Sequence, residues 1–376
     1  MNPARTTKPL RVGIAHVTAS FLTGGSEVYS WALAKHLATR GHSVSLLAGE
    51  TTDPIRLYPE INLQTARFKP RDRWPKIGSR FQRLLERSSF LWNARRLIAD
   101  GHFNILNVHK PYDLPVAVWL KRRAGYKIIW RSHGPDYFPG LQRALRKVDA
   151  VYCVSDCCRR ELQDHYDVPA EVIHTGVDTN FFTSLQTTTA GEPLKILYFG
   201  RLEGWKGVHF LIRAFPLLKS TYGAEIVGAG PDENNLRALI ETLGLQNKVQ
   251  LRPPVRDRAQ LRALIQSADI AAFPVIGFET MSNAMLEAMA CGKSVLATNT
   301  GCFTEVLQDR VDSLLVPPRD ERALATALDE LLQSPSLRES LGAAARKKVV
   351  ARFDSQASFN QVEALFERVA RPTKET

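Results

Sequence analysis

The chain has 376 residues, of which 44% are apolar and 23% are charged, and it contains no low-complexity tract. This composition predicts a globular protein of about two domains and excludes a disordered or fibrous chain. No apolar run reaches the ~18 residues of a membrane-spanning helix. The first apolar segment contains Arg11 and favours a strand over a signal peptide. Five cysteines without paired or zinc-like spacing favour structural thiols over a metal or redox centre, and we therefore expect a cytoplasmic protein.

The formal net charge of +12 lies almost entirely in the first half of the chain. Residues 1–190 contain 27 Lys and Arg against 16 Asp and Glu, whereas residues 191–376 contain 23 against 22. Segment 67–96 is the most basic stretch and is interleaved with aromatic residues. Three interpretations remain open: a solvated helical face, attraction to an anionic membrane or a lipid-phosphate acceptor, and nucleic-acid binding. No recognised nucleic-acid-binding motif supports the third interpretation, and we expect no nucleic-acid partner.

Strands and helices alternate along the first half. A helical pattern at residues 26–39 follows the first strand. The predicted strands are residues 11–17, 43–47, 105–108, 127–130, 150–154 and 171–173. This alternation predicts a parallel sheet covered on both faces.

The pattern restarts in the second half. The predicted strands are residues 195–199, 224–227, 249–251, 270–273 and 294–297. The predicted helices are residues 208–218, 234–243, 261–266, 283–290 and, at the end of the chain, 355–369. Between the two series, residues 183–193 contain three successive threonines and a glycine and predict a linker.

The sequence therefore predicts two doubly wound α/β domains of similar size. We place the first at residues 1–186 and the second at residues 187–352, with a C-terminal helix in residues 353–376. Open α/β sheets bind ligands at the carboxyl ends of their strands, so a cleft between the domains is the expected ligand site.

Segment 279–287, with the sequence ETMSNAMLE, carries the strongest chemical signal. Ser282 or Asn283 can cap the helix and Gly292 can end it. Glu279 then lies before the helix, and Glu287 lies more than a turn inside it among apolar neighbours. A buried carboxylate needs a partner, and a vicinal diol satisfies both of its oxygens. Free amides of the first turn, between the two glutamates, suit a phosphate. The segment therefore favours a sugar nucleotide over incidental helix acids.

Two glycine-rich loops follow the first strands of the two series. Gly25 belongs to a diglycine that opens the first helix, where free amides can meet an anion, although such loops are common. Segment 200–207, GRLEGWKG, holds Arg201 and Lys206 five residues apart. These two cations suit a diphosphate, because Arg can form two parallel bonds and Lys adds a point charge. The alternative is a pair of ordinary solvated cations.

Other motifs give weaker signals. Gly228 and Gly230 form only part of a dinucleotide fingerprint, and no G-x-x-x-x-G-K-[ST] motif is present, which disfavours a nicotinamide enzyme and a P-loop NTPase. His133 precedes a glycine at a strand end and can reach a cleft, with a purely structural role as the alternative. His16 and His109 also end strands and have weaker claims.

Together these residues resemble the retaining glycosyltransferases of family 4, which have the GT-B fold. The most specific features are the E-x7-E of Glu279 and Glu287 with its following EAMACG, and the GRL and KG pairs around Arg201 and Lys206. The segment HTGVD at residues 174–178 is similar to the family's Asn-Gly-Val-Asp segment. The resemblance implies two Rossmann-like domains facing a central cleft, an acceptor-binding first domain, a donor-binding second domain, and a last helix that crosses back to the first.

The resemblance also implies roles for individual residues. Arg201 and Lys206 would hold the donor diphosphate, Glu287 the ribose hydroxyls and Glu279 the donor sugar, with His133 approaching that sugar. The other implied donor contacts are Gly25 at the phosphate, Val255 and Arg256 beside the base, and the amides of Met281, Ser282 and Asn283 at the sugar. Residues 280–283 are TMSN where many relatives have a Gly-Phe-Gly stretch, so this segment bears on donor choice.

The predicted function is transfer of a hexose from a UDP- or GDP-sugar to an acceptor hydroxyl, with retention at the anomeric carbon. The leaving diphosphate, stabilised by Arg201 and Lys206, would help to deprotonate the acceptor. No Asp-x-Asp ends a predicted strand, so neither a catalytic metal nor another cofactor is expected. A glycan or lipid-linked acceptor suits the basic first domain, as does a peripheral position on the inner face of a membrane. The alternatives are a sugar-nucleotide epimerase of the same fold, an NAD-dependent oxidoreductase, and a non-catalytic protein that binds sugar nucleotides or polysaccharide.

Overall fold

The computed structural model describes residues 8–22, 24–76, 78–134, 136–185 and 193–371. The chain forms two compact units, one comprising Met1–Ile173 with Ser358–Thr376 and the other His174–Ala357. The sequence analysis placed the corresponding boundaries at residues 186/187 and 352/353. Of the predicted linker, residues 186–192 lie outside the described residues. Within the described ranges, no helix combines the length and apolar character needed to cross a bilayer.

The first unit is built on a seven-stranded parallel sheet with the order β3-β2-β1-β4-β5-β6-β7. Its strands are β1 (Arg11–Ala15), β2 (Ser43–Gly49), β3 (Asn62–Ala66), β4 (Ile105–Val108), β5 (Lys127–Ser132), β6 (Ala150–Cys153) and β7 (Glu171–Val172). The six strands predicted for this half are present, and the sequence analysis missed β3. This edge strand alternates buried and exposed positions and lacks the continuous apolar run that marks a central parallel strand.

The helices of the first unit connect the strands and close the chain. They are α1 (Gly25–Thr39), α2 (Ser79–Asn93), α3 (Arg95–Asp100), α4 (Leu114–Ala124), α5 (Leu141–Leu145), α6 (Asp156–Tyr166) and, at the C-terminus, α14 (Ser355–Ala370). Phe359, Val362 and Phe366 of α14 are buried in the same core as residues of β1 and β2. The C-terminal helix therefore completes the first unit.

The second unit has a six-stranded parallel sheet with the order β10-β9-β8-β11-β12-β13. Its strands are β8 (Leu194–Phe199), β9 (Tyr222–Val227), β10 (Val249–Arg252), β11 (Ile270–Phe273), β12 (Ser294–Thr298) and β13 (Leu314–Val316). Side chains of β8 alternate between two cores: Ile196 and Tyr198 enter one, and Leu197 enters the other. Both faces of the sheet are thus covered, as predicted, and the unpredicted strand β13 is again an edge strand.

Of the described helices of the second unit, the sequence analysis predicted the first four and missed the last three. In chain order, the helices are α7 (Val208–Ala214), α8 (Glu233–Thr242), α9 (Arg258–Gln266), α10 (Asn283–Ala290), α11 (Phe303–Val306), α12 (Glu321–Gln333) and α13 (Pro335–Arg352). The helix predicted at residues 208–218 is shorter: the α-helix ends at Ala214 and continues as one 3-10 turn, Phe215–Leu217. Pro216 explains this change, because proline has no N–H for an α-helical bond.

The described part of the chain thus contains two parallel α/β sheets with helices on both faces. In each sheet the first strand lies in the middle, and the chain moves to opposite sides of it before and after. Loops that leave the carboxyl ends of the two central strands therefore diverge and leave a crevice, which is where such sheets bind ligands.

Candidate functional site

An ion pair lies at this crevice in the second unit. Lys206 follows β8, Glu279 follows β11, and these two strands are neighbours in the sheet. The ammonium of Lys206 donates a hydrogen bond to Oε2 of Glu279, and the two side chains are only 13% and 9% exposed. The structure therefore brings together two predicted site residues that are separated by 73 positions in the sequence.

Backbone contacts hold the two loops against each other. The carbonyl oxygen of Trp205 accepts hydrogen bonds from the amides of Ile276 and Gly277, at 2.9 and 3.2 Å. Gly207 has φ +70°, and a Cβ there would lie 1.9 Å from the carbonyl oxygen of Pro274. The KG pair is therefore explained by close packing, because only glycine allows Lys206 to approach the β11 loop in this way.

Arg201 is not drawn into the ion pair. Its guanidinium donates to Glu203 at 2.6 Å and is 64% exposed. Its carbonyl oxygen accepts from the hydroxyl of Tyr198 at 2.7 Å. Burial raises the pKa of Tyr198, and Glu279 raises it further, so the phenol stays neutral and fixes the loop. Tyr198 and Glu203 are contacts that the sequence analysis missed.

The partial dinucleotide motif, Gly228 and Gly230, packs against the loop that carries Arg201. A Cβ at Gly228 would lie 1.9 Å from the carbonyl oxygen of Gly200, and one at Gly230 would lie 2.1 Å from that of Leu202. The amide of Leu202 also donates to Ala229. These glycines therefore serve loop packing, which agrees with the weak case for a nicotinamide cofactor.

Helix α10 begins beside Glu279 and presents unused amides. Ser282 is its N-cap, and the hydroxyl oxygen accepts from the amide of Met285 at 3.3 Å. Within the described ranges, the amides of Met281, Ser282 and Asn283 have no hydrogen-bond acceptor. These free N–H groups and the helix dipole favour an anion or a hydroxyl oxygen at this position.

The backbone of Glu279 is fixed from the other side. Its carbonyl oxygen accepts from the amide of Cys302 at 2.9 Å. Gly301 has φ +57°, and a Cβ there would lie 2.7 Å from the same oxygen. The glycine after Thr300 thus allows the β12 loop to pack on Glu279.

Glu287 lies one helical turn after the start of α10, and its neighbours Met285, Leu286 and Ala288 are buried. Burial raises the pKa of its carboxyl to about 7, and Arg258 counteracts that shift. No hydrogen bond or salt bridge to this carboxylate exists among the residues that the structure describes. Glu287 is therefore a half-buried acid without a partner among the described residues, as a group reserved for a ligand would be.

The base-binding candidates lie on a different loop of the same sheet edge. Val255 and Arg256 follow β10, and Val255 is half-buried against the core that also contains Met285. Arg256 is exposed. The structure gives neither residue a hydrogen bond to Glu287 or Glu279, so their role stays a prediction.

In the first unit, the structure assembles three histidines at the ends of adjacent strands. His16, His109 and His133 follow β1, β4 and β5. The rings of His16 and His109 stack with centroids 5.1 Å apart, and His133 lies 5.7 Å from His109. His16 and His109 are fully buried, whereas His133 is half-buried. His16 and His109, for which the functional signals in the sequence were weaker, thus lie beneath His133, which the sequence analysis singled out.

A hydrogen-bond network fixes one tautomer in this cluster. Asn107 donates through its amide nitrogen to Ile129, so its oxygen must accept from Nε2 of His109, at 2.9 Å. Nδ1 of His109 is then an acceptor facing the hydroxyl of Ser30 at 3.3 Å, and that hydroxyl lies 2.8 Å from Nδ1 of His16.

Cations surround the histidine cluster. Burial, together with the charges of Arg131 and Lys110, holds the pKa values of His16, His109 and His133 well below the usual value. All three rings are therefore neutral at pH 7, and His133 can offer or accept a hydrogen bond but carries no charge.

Gly25 is the first residue of α1, and Gly24 is its N-cap. A Cβ at Gly24 would lie 2.6 Å from the carboxylate of Glu27, which accepts from Thr18 at 2.6 Å. Gly25 itself is exposed at the helix start. This geometry accounts for the diglycine locally, and a phosphate contact of Gly25 stays a prediction.

One group of side chains has the composition of a metal site, namely His42, Glu363 and Glu367. Nδ1 of His42 accepts from the amide of Leu10 at 3.0 Å, so the ring carries its proton on Nε2. That Nε2 lies 3.0 Å from Glu363, to which it donates. Since a metal ligand must offer a lone pair, this arrangement argues against a metal at His42. The metal independence of the reaction remains a prediction.

The two sheets and the loop residues of the second unit define a glycosyltransferase of the GT-B class. Sequence comparison gives the family. Residues 183–348 match the family model described as glycosyl transferases group 1, and residues 23–181 match that of glycosyltransferase family 4. A phosphatidyl-myo-inositol mannosyltransferase of Mycobacterium leprae is 31% identical over 376 residues, covering 96% of this chain and 97% of the relative. The chain belongs to glycosyltransferase family 4.

Solved structures confirm the fold. Sucrose-phosphate synthase from Thermosynechococcus elongatus superposes with a TM-score of 0.84 at 20% identity, over 95% of this chain and 98% of the other. Anabaena Alr3699/HepE, solved in complex with UDP and glucose, superposes with a TM-score of 0.77 at 20% identity, over 96% and 100%. The predicted GT-B fold and family membership are thus confirmed, and the chain is a glycosyltransferase.

Proposed function

We propose that this glycosyltransferase transfers a hexose from a nucleoside-diphosphate sugar to a hydroxyl of a glycan or lipid-linked acceptor, with retention of the anomeric configuration. The observation that carries the proposal is the arrangement at the β8–β11 crevice. It combines a cation, Lys206, an acid, Glu279, the unused amides at the start of α10, and the unpartnered acid Glu287. In this proposal Glu279 binds the sugar, Lys206 and the amides bind the diphosphate, and Glu287 binds the ribose.

The diphosphate needs positive charge in a confined place. Lys206, which is 13% exposed, and the α10 amides supply it at the crevice. Arg201 is exposed, and its ion pair with Glu203 is worth little at a surface, so its guanidinium is available to a phosphate. The ion pair with Glu279 keeps Lys206 in position until a donor binds.

Retention follows from a front-face reaction. The bond between the anomeric carbon and the diphosphate oxygen breaks, and the acceptor oxygen bonds to that carbon from the same side. The acceptor proton passes to the departing phosphate oxygen, so no enzymatic base is required. Lys206 and Arg201 stabilise the charge that develops on the leaving group. The carboxylate of Glu279 accepts hydrogen bonds from hydroxyl groups of the sugar.

The acceptor side is supported by charge and by one relative. The M. leprae relative is named a phosphatidyl-myo-inositol mannosyltransferase, and the first half of this chain carries most of the net charge. On α2 and α4, Trp92 and Trp119 are 47% and 38% exposed, with ring centroids 5.1 Å apart. Arg95 and Arg123 lie over these rings. Exposed tryptophans flanked by cations are typical of a protein at an anionic membrane interface. We place the enzyme at the cytoplasmic face of a membrane.

The epimerase alternative requires accessible acids in the first unit. Asp113 has a pKa raised to about 7 by burial, but it is fully buried and faces Arg87 at 3.8 Å. Glu27 is buried and accepts from Thr18. Neither carboxylate is exposed to a substrate. Asp136 is 33% exposed, but it is paired with Arg83 at 3.0 Å and with Lys110 at 3.5 Å, so these acids favour transfer over epimerisation.

The test is a donor screen followed by product analysis. Thermal shifts are measured with UDP, GDP and their glucose, mannose, galactose and N-acetylglucosamine derivatives, since stabilisation follows occupancy. The donor that binds is then incubated with phosphatidylinositol vesicles, and the anomeric configuration of the product is determined by NMR. Retention and dependence on Lys206 support the proposal. Inversion, or binding of no nucleotide at millimolar concentration, overturns it.

A further inference from the structure

A surface groove lies on the first unit, and its lining contains none of the predicted donor residues. It has a volume of about 690 Å³ and is formed by the start of α2, the segment around α5 and the end of α6. Its lining residues are Arg80, Tyr137, Phe138, Pro139, Gly140, Gln142, Arg143 and Tyr166. This volume is in the range of sites for small organic ligands.

The two arginines of the groove are available for a ligand. Among the described residues, neither Arg80 nor Arg143 forms an ion pair or a hydrogen bond, and both are exposed. No acidic residue lines the groove. A nearby acid, Asp136, already binds Arg83 at 3.0 Å and Lys110 at 3.5 Å. The groove therefore has an uncompensated positive charge, which suits an anion.

The floor of the groove is aromatic. Tyr137 and Tyr166 meet edge to face, with centroids 5.1 Å apart at 85°. Phe138 stacks on Tyr112 at 5.1 Å, which fixes its ring. The hydroxyl of Tyr137 is buried and has no hydrogen-bond partner in the described chain. Aromatic rings that are held by packing offer a rigid apolar surface for one face of a sugar ring.

We propose that this groove binds a sugar ring that carries a phosphate, as the anionic part of the acceptor. The phosphate lies between the guanidinium groups of Arg80 and Arg143, and the ring lies on Tyr137 and Tyr166. Arginine is suited to this contact, because its planar fork binds two phosphate oxygens at once. The role as an acceptor site rests on the proposed function, whereas binding itself does not. The phosphosugar can be soluble or the headgroup of a lipid.

Binding is measured by ³¹P NMR with glucose 1-phosphate as the probe; inorganic phosphate is titrated in the same way, and glucose is added as a competitor of the probe. The double variant Arg80→Gln with Arg143→Gln should bind the probe at least about tenfold more weakly, because both charge-assisted contacts are lost. The matched control is Arg56→Gln with Arg122→Gln. These arginines are also exposed and unpaired among the described residues of the same unit, but they lie outside the groove. The control should bind as the unaltered protein does.

Binding to vesicles of phosphatidylinositol in phosphatidylcholine then distinguishes a lipid headgroup from a soluble sugar phosphate as the ligand. If the double variant loses vesicle binding, the ligand is a lipid headgroup; if it loses only the soluble probe, the ligand is a soluble sugar phosphate. Either outcome supports the groove. The proposal is overturned if the double variant binds glucose 1-phosphate like the control, if the probe does not bind, or if inorganic phosphate binds as tightly as the probe.

A parallel titration with UDP separates this proposal from the proposed function. The groove variants should bind UDP unchanged, because Arg201, Lys206 and Glu287 belong to the other unit, and the groove contains neither Gly25 nor His133. If UDP binds and the probe is insensitive to the arginines, the groove alone is rejected. If the probe depends on the arginines but no nucleotide binds, the proposed function is rejected and the groove remains a phosphosugar site.

Discussion

The unpartnered carboxylate of Glu287 leads to a prediction in which stability and binding change in opposite directions. Its pKa in the folded protein is about 7, against an ordinary value of 4.5. A shift of about 2.5 units corresponds to about 3 kcal/mol of preference for the neutral form. Between these two pH values the folded state holds a proton that the unfolded state has released. The free energy of unfolding therefore falls as the pH rises, and the destabilisation by ionised Glu287 is complete above pH 7.

Glu287→Gln removes the charge and keeps the shape. At pH 8 we expect the ligand-free variant to be about 1–3 kcal/mol more stable than the unaltered protein, since the buried amide retains part of the desolvation cost. At pH 5 the difference should nearly vanish. In the same variant, affinity for UDP or GDP should fall about 10- to 100-fold, because charge-assisted bonds to the ribose hydroxyls are lost.

Urea denaturation at pH 5 and pH 8 measures the first effect, and calorimetric titration with nucleotide measures the second. Glu241→Gln is the matched control, because Glu241 is an exposed acid of the same unit, on α8. It should change neither quantity. The reasoning is refuted if Glu287→Gln destabilises the ligand-free protein at pH 8, which would reveal a structural partner. An unchanged nucleotide affinity would also refute it.

Three further predictions concern other parts of the molecule. Lys206→Ala leaves the buried Glu279 without its cation and should lower kcat about 10²- to 10³-fold, as measured in steady-state transfer assays. Glu363→Ala removes the carboxylate that binds two buried histidines and an arginine, and it should cost about 3–5 kcal/mol in urea denaturation. Replacing Trp92 and Trp119 together by alanine should weaken binding to anionic vesicles about tenfold in a sedimentation assay, with little effect on UDP binding.

The Lys206 and tryptophan predictions each have a control. Lys347→Ala removes an exposed lysine of the same unit as Lys206 and should leave kcat unchanged. Leu217→Ala removes a side chain that is 48% exposed on the other unit and should leave vesicle binding unchanged. If either control variant behaves like its test variant, the effect is not specific to the proposed site.

The contacts of Glu363 also predict how the C-terminal helix responds to pH. The hydrogen bond from His42 and the charge of Arg40 overcome the effect of burial and lower the pKa of Glu363, whereas burial lowers the pKa of His36. Both shifts stabilise the folded state at neutral pH, and this contribution is lost on acidification, as His36 and then Glu363 must take up protons. The protection factors of the α14 amides, which are corrected for the intrinsic pH dependence of exchange, should therefore fall below about pH 6. Protection factors that stay constant down to pH 4 would contradict this assignment.

Local signals in the sequence were sufficient where structure depends on neighbouring residues. The N-cap at Ser282 and the bounds of α10 were predicted, because a cap and a helix end need only adjacent residues. The edge strands β3 and β13 were missed, because half-exposed edge strands lack the apolar run that marks a buried strand. The shortened helix at α7 shows the effect of a single proline inside a favourable pattern.

The sequence by itself determined the fold class and the family, and it singled out the candidate donor residues. Alternating apolar periodicity and glycine-rich loops are local properties, so they can be recognised without a structure. Only the tertiary structure decided which of these residues meet. Lys206 contacts Glu279, His16 stacks on His109, and Glu363 binds histidines more than 300 positions away, because neighbouring parallel strands and a returning helix bring them together. The environment of Glu287 was decided in the same way, since desolvation depends on packing from distant segments.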